Sequence, residues 1–220
     1  MQKIFTVIHG QSKDQIYRNI EKSANAGADG SFLINHAGIS VDELIESYIE
    51  FKNYRENFVL GINILGVSPK EAMDVAISVS ADAFWSDESF VRSYEDYQFE
   101  SELDWMDEKR KSYKGLYFGG VAFKTQEECT DYEKAAKNAI GHMDVITTSG
   151  TGTGIAPEEE KIKIMKNAIG SNKLGIASGV NYDNIDKFKL ADYLLVATGV
   201  QDSWTELNYE KIFKLISKKS

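Results

Sequence analysis

What is scarce in this chain limits what it can be. There is one cysteine, Cys129, among 220 residues. An internal disulfide is therefore excluded, and a reducing, cytoplasmic setting is the natural expectation. Three histidines and one cysteine make no zinc-spacing pattern, so no metal is assigned. No apolar run approaches the ~18 residues that a membrane span needs. The run inside "MQKIFTVIHG" is about five residues, too short for a signal-peptide core. Basic charge is scarce as well. Lys and Arg number 25 against 34 Asp and Glu, a net charge of −9. A nucleic-acid partner needs clustered cations and is set aside, whereas a small phosphorylated ligand needs only a local site. The two prolines form no linker, and no shift in composition marks a domain boundary.

Short apolar, β-prone runs alternate with longer amphipathic ones. The strand candidates are Lys3–Ile8, Gly30–Asn35, Phe58–Leu65, Asp82–Ser86, Gly115–Phe123, Asp144–Thr148, Leu174–Ser178 and Asp192–Thr198. Each is nearly continuous in apolar character, as in strands covered on both faces. Helices are predicted over Ser12–Ala26, Ser40–Tyr54, Pro69–Val79, Gln126–Ile140, Pro157–Ile169, Asn181–Phe188 and Asn208–Ser217, with one more within Trp105–Tyr113. Ser40 with Glu43 makes a capping box, and Pro69 takes the favoured first-turn position after Ser68. About eight βα units at a period near ~28 residues predict a compact (β/α)₈ TIM barrel, a single domain over 1–220. A doubly wound open sheet is the alternative.

Barrels of this kind keep their chemistry where the strands end. The residues there are His9, Asn35 with His36, Asn63, Asp87 with Glu88, and Lys124, followed by hydroxyls and glycines. Lys124, Asp87 and His9 are the candidates for catalysis. A desolvated lysine can serve as a base or form a Schiff base, and carboxyls and imidazoles exchange protons. Their plainer reading is a lysine–carboxylate pair and an oriented structural imidazole. A metal shared by His9, His36 and Asp87 is a minor alternative. Asn35, His36 and Asn63 are candidate substrate positioners, or pins for neighbouring loops. His142 precedes the sixth strand and is expected to be structural, on the opposite face.

The last three strands run into "TTSGTGTG", "ASGVNYDN" and "ATGVQD". Glycine lets backbone N–H groups approach a ligand, and consecutive N–H groups in such turns make anion nests. Ser149, Gly150, Gly152, Gly154, Ser178, Gly179, Thr198 and Gly199 are accordingly read as a phosphate site, against the simpler reading of tight βα turns. No cofactor is assigned. "GTGTG" is GxGxG, lies late in the chain and lacks the Lys and Ser/Thr that open a P-loop helix. The segment Phe90–Trp105, within a long loop at about 86–105, is aromatic and acidic. It suits a lid, extra packing on the barrel, or a contact between copies in a homo-oligomer.

Taken together, "VIHG", "LINHAG", "GINILG", "VAFK", "TSGTGTG" and "ASGVNYDNI…ADYLLVATGV" resemble the BtpA family, (β/α)₈ barrels named for a member linked to photosystem I biogenesis. The resemblance covers most of the chain. The family pattern maps onto Ser149, Gly150, Thr153, Gly154, Ser178, Gly179, Val180 and Asn184. The family's proline-rich loop after the first histidine is missing, and its His-Val-Lys segment reads Ala122-Phe123-Lys124. The resemblance implies a barrel with a phosphate site more than it implies a reaction. The expected activity is acid/base chemistry on a sugar phosphate or phosphoribosyl compound, by an isomerase, lyase or transferase. A non-catalytic sensor or assembly factor of the BtpA type is the alternative.

Overall fold

A computed structural model describes residues 1–94 and 99–219. Eight strands pair in parallel, each with the next, and β1 pairs with β8 to close the ring. They are β1 (Lys3–His9), β2 (Gly30–Ile34), β3 (Val59–Asn63), β4 (Ala83–Ser86), β5 (Leu116–Gly120), β6 (Val145–Thr148), β7 (Lys173–Ile176) and β8 (Tyr193–Val196). The intervening helices are α1 (Lys13–Asn25), α2 (Val41–Tyr54), α3 (Pro69–Ser78), α4 (Glu100–Arg110), α5 (Tyr132–Asn138), α6 (Glu159–Ile169) and α7 (Tyr209–Ser217). This is the expected (β/α)₈ barrel.

Strand alternation divides the core in two. Ile4, Ile8, Leu60, Ile62 and Phe84 face out and pack under the helices. Phe5, Val7, Phe32, Ala83, Trp85, Phe118 and Tyr193 face in and fill the barrel. The inner rings meet edge to face, Phe32 to Phe118 at 5.1 Å and Phe118 to Tyr193 at 5.0 Å between centroids. Gly61 makes this packing feasible, because a Cβ there would lie 2.3 Å from the Phe32 ring. The same parity carries the inward face upward to His9 after Val7, Asn63 after Gly61 and Asp87 after Trp85.

At the opposite end, an aspartate stands just before every even strand. Asp29, Asp82, Asp144 and Asp192 accept the backbone N–H of Ile4, Leu60, Tyr117 and Leu174 at 2.8, 2.8, 2.8 and 3.0 Å. Each also pairs with a cation: Lys219, Lys52, Arg110 and Lys166 respectively. The barrel floor is thus clamped four times, once per pair of βα units.

Three predicted helices differ from the structure. Asn181–Phe188 shrinks to one 3₁₀ turn, Ile185–Phe188. The Asn181 side chain accepts the N–H groups of Asp183 and Asn184, and this local turn outcompetes the helix. Helix α5 starts only at Tyr132, capped by Asp131, because Gln126 folds back onto Phe123 N–H and the Gly120 carbonyl. Helix α4 starts at Glu100, earlier than Trp105. Both capping serines behave as predicted, and Ser40 and Ser68 each close a full capping box.

Candidate functional site

A cavity of about 330 Å³ opens at the C-terminal mouth of the barrel. His9, His36, Asp87 and Lys124 line one side, and Gly154, Ser178, Gly179 and Thr198 line the other. Members of both halves expected from the sequence therefore line one cavity, whereas Asn35, Asn63, Ser149, Gly150, Gly152 and Gly199 do not.

On the first side, Asn63 is buried and its amide donates to the Asp87 carboxyl at 3.3 Å. Asn63 thus orients Asp87. Burial raises the Asp87 pKa above the usual carboxylate range, and Lys124, the Asn63 hydrogen bond and His36 only partly offset this. A carboxyl in such surroundings is suited to proton exchange. Asn35 does not line the cavity. Its amide donates to the Leu65 carbonyl at 3.0 Å and accepts from Leu65 N–H at 2.7 Å, so it pins the β3 loop.

His9 is 5% exposed and its Nδ1 has no hydrogen-bond partner among the described residues. Its ring centroid lies 4.0 Å from that of Trp204 and 5.3 Å from that of His36. Burial, then the nearby His36 and Lys124, push its pKa down to about 4. At neutral pH the ring is a neutral hydrogen-bonding group and not a cationic acid. Trp204 is the site neighbour that sequence reasoning missed. It lies well past the end of β8, in a segment strapped to α1. Asn19 donates to the Thr205 carbonyl at 2.7 Å and accepts from Leu207 N–H at 2.9 Å, and Arg18 and Lys22 pair with Glu206.

On the second side, the backbone N–H groups of Gly154, Ser178 and Gly179 reach no backbone acceptor among the described residues. All three residues line the cavity, and backbone N–H groups left without acceptors suit an anion. Gly179 has φ +63°, and a Cβ there would lie 2.1 Å from the Ala156 nitrogen. The β7 loop thus seats backbone against backbone on the β6 loop, and only glycine permits it. The remaining predicted residues lie elsewhere. Ser149 and Gly150 line a neighbouring chamber behind the β6 loop. The Gly152 carbonyl accepts the Ser178 hydroxyl at 2.8 Å, and Gly199 packs against the Val180 carbonyl.

His142 sits before β6, bonded to Asp107 at 2.8 Å. None of the described residues between Phe90 and Trp105 lines the mouth. Phe90, Arg92 and Phe99 instead pack on one another. Residues 95–98 of the expected lid lie outside the described residues. Among the described residues, no three His, Cys, Asp or Glu side chains gather closely enough to hold a metal, and no helix is long and apolar enough to cross a membrane.

No family model matches the chain, and neither does any curated protein. Solved structures do. Phosphoribosyl anthranilate isomerase from Thermus thermophilus superposes with a TM-score of 0.67 at 12% identity, over 98% of this chain and 97% of that one. 3-Hexulose-6-phosphate synthase from Salmonella typhimurium gives 0.70 at 12% identity, over all of both chains. A native KDPGal structure gives 0.71 at 10% identity, over 99% of this chain and 96% of that one. At such identities the likeness is one of fold, and the chain shares with these proteins a closed (β/α)₈ barrel.

Proposed function

We propose that this barrel is an enzyme carrying out acid/base chemistry on a phosphorylated small molecule, a sugar phosphate or phosphoribosyl compound. The isomerase, lyase and transferase classes all fit. One observation carries the reading: Asp87 and Lys124 line a single cavity of about 330 Å³ together with Gly154, Ser178 and Gly179, whose backbone N–H groups reach no backbone acceptor among the described residues. Two of the structural neighbours are named for phosphoribosyl and hexulose-phosphate chemistry, which agrees with it. The BtpA resemblance agrees as well, and membership of that family is part of the proposal.

In this reading the phosphate sits in the glycine cradle and does not react. Its binding energy orients the rest of the ligand. Asp87, its carboxyl pKa raised by burial and its position set by Asn63, exchanges a proton with a substrate carbon or hydroxyl. The Lys124 ammonium stabilises negative charge developing on the neighbouring oxygen. Neutral His9 hydrogen-bonds a hydroxyl.

A thermal-shift series with inorganic phosphate, ribose 5-phosphate and ribose tests this. A ligand at a hundred times its Kd adds ~2.7 kcal/mol, which raises Tm by roughly 5–10 °C at this size. The phosphorylated compounds are expected to shift Tm and ribose is not. A flat response to all three would overturn the proposal. Binding without turnover by any phosphorylated sugar in a wider panel would point to a sensor.

A further inference from the structure

Behind the β6 loop lies a second chamber of about 400 Å³, partly open to solvent and bordered by the β5 and β6 loops and the first turns of α5 and α6. It shares one lining residue, Lys124, with the mouth. Its walls include the Tyr132 ring, Ile155 and Pro157. Lys161 also lines it. The Lys161 ammonium donates to the Ala122 carbonyl at 2.7 Å and the Ser149 carbonyl at 2.8 Å, and lies 5.0 Å from the centroid of the Tyr132 ring.

An ammonium has three N–H donors, and two are used. No carboxylate among the described residues stands within ion-pair distance of Lys161. Glu127, Glu128 and Glu158 border the same chamber, but all three are exposed to solvent. Burial without a counter-ion lowers the Lys161 pKa to about 8, and Cys129 offsets this only in part. This half-buried cation, held by two carbonyls and an aromatic ring in a chamber that shares Lys124 with the mouth, has no anionic partner among the described residues.

We infer that this chamber is a second subsite of the mouth, which takes an anionic group carried by the ligand on the far side of Lys124 from the phosphate cradle. The inference rests on the phosphate reading above and narrows its substrate class. The ligand is a phosphorylated sugar-like compound bearing a second acid group, either a carboxylate or another phosphate, and Lys124 faces the atoms between the two.

Calorimetric titration of the full chain with ribose 5-phosphate, ribulose 1,5-bisphosphate and 6-phosphogluconate tests it. Both doubly acidic ligands, or the one whose second group fits, are expected to bind about tenfold tighter than ribose 5-phosphate. Lys161→Met removes that advantage and leaves ribose 5-phosphate within about twofold. Thr151→Trp, at an exposed position lining the chamber, is a second variant should the β5 and β6 loops need Lys161 to fold; it is expected to show the same selectivity. At pH 8, binding of the second anion takes up a proton in the parent protein and not in Lys161→Met. If ribose 5-phosphate binds as tightly as the doubly acidic ligands, or if both variants weaken every ligand equally, the subsite is overturned and the phosphate reading stands. If none of the three ligands binds, both are overturned.

Discussion

The His9 imidazole illustrates how a single covered residue ties stability to pH. Its folded pKa is about 4 against an ordinary value of 6.5. The folded state therefore binds fewer protons than the unfolded one between those values. Its contribution is complete above pH 6.5 and is lost as pH falls through about 4, a total of roughly 3 kcal/mol. Asp87 has the opposite sign. Its raised pKa favours the fold below the unfolded carboxyl value, an advantage lost as pH rises through the folded one. Urea unfolding between pH 7 and 4 is expected to show the His9 loss, and His9→Asn to flatten it. Trp204→Ala uncovers the ring and is expected to return its NMR titration midpoint toward 6.5. A midpoint still near 4 would show that the neighbouring His36 and Lys124, and not the indole, hold it down. Trp204 could not be picked out from the sequence, because only the strap from α1 brings so distant a residue back over β1. His9, Asn63 and Asp87 were legible because inward parity at a strand end is a local rule. Lys161 was not, because a lysine on α6 looks like any helix-surface cation until the loops in front of it are placed.

Among the elements, the strands were the most legible. Eight apolar runs became eight strands, every end within three residues of its expected place. Helix starts with serine caps were equally clear, since Ser40 and Ser68 act through side chains that need no tertiary partner. The loops were legible only in part. "TTSGTGTG" reads as an anion loop, and Gly154 does border the mouth, yet Ser149 and Gly150 face the other chamber. Gly179 serves two purposes, a left-handed turn and a seat for the β6 loop. Gly179→Ala is therefore expected to cost about 1–2 kcal/mol for the backbone conformation alone, more for displacing Ala156, and to weaken phosphate binding about tenfold. Chemical denaturation and titration with inorganic phosphate check the two effects separately. Unchanged phosphate affinity would remove Gly179 from the cradle.

At the scale of the whole molecule, the two ends of the barrel are specialised. The mouth gathers glycines, titratable groups and backbone N–H groups without backbone acceptors. The floor is held by Asp29, Asp82, Asp144 and Asp192, each bonded to a strand N–H and a cation. At Asp192, burial alone would raise the pKa, but hydrogen bonds from Lys166, Leu174 N–H and Lys173 outweigh it and hold the carboxyl below its usual range. Asp192→Ala leaves the fully buried Leu174 N–H without its acceptor and Lys166 without its carboxylate, only the Asn172 carbonyl remaining to it, and is expected to cost about 2 kcal/mol. Asp192→Asn, which keeps an acceptor, is expected to cost about half as much in urea unfolding. Equal losses in the two variants would mean that charge, and not the acceptor, matters at this clamp.

Those four clamps also fix where the molecule opens last. The amides of Ile4, Leu60, Tyr117 and Leu174 lie on buried residues, one in each quarter of the ring. Breaking any one of them exposes both a carboxylate's hydrogen-bond partner and the start of a strand. Hydrogen–deuterium exchange at these four positions is therefore expected to proceed only through global unfolding, at a common rate. Amides around Gly154 and Gly179 are expected to exchange orders of magnitude faster. A quarter that exchanges ahead of the other three would mark a break in the ring, and the barrel would then unfold in pieces and not as one unit.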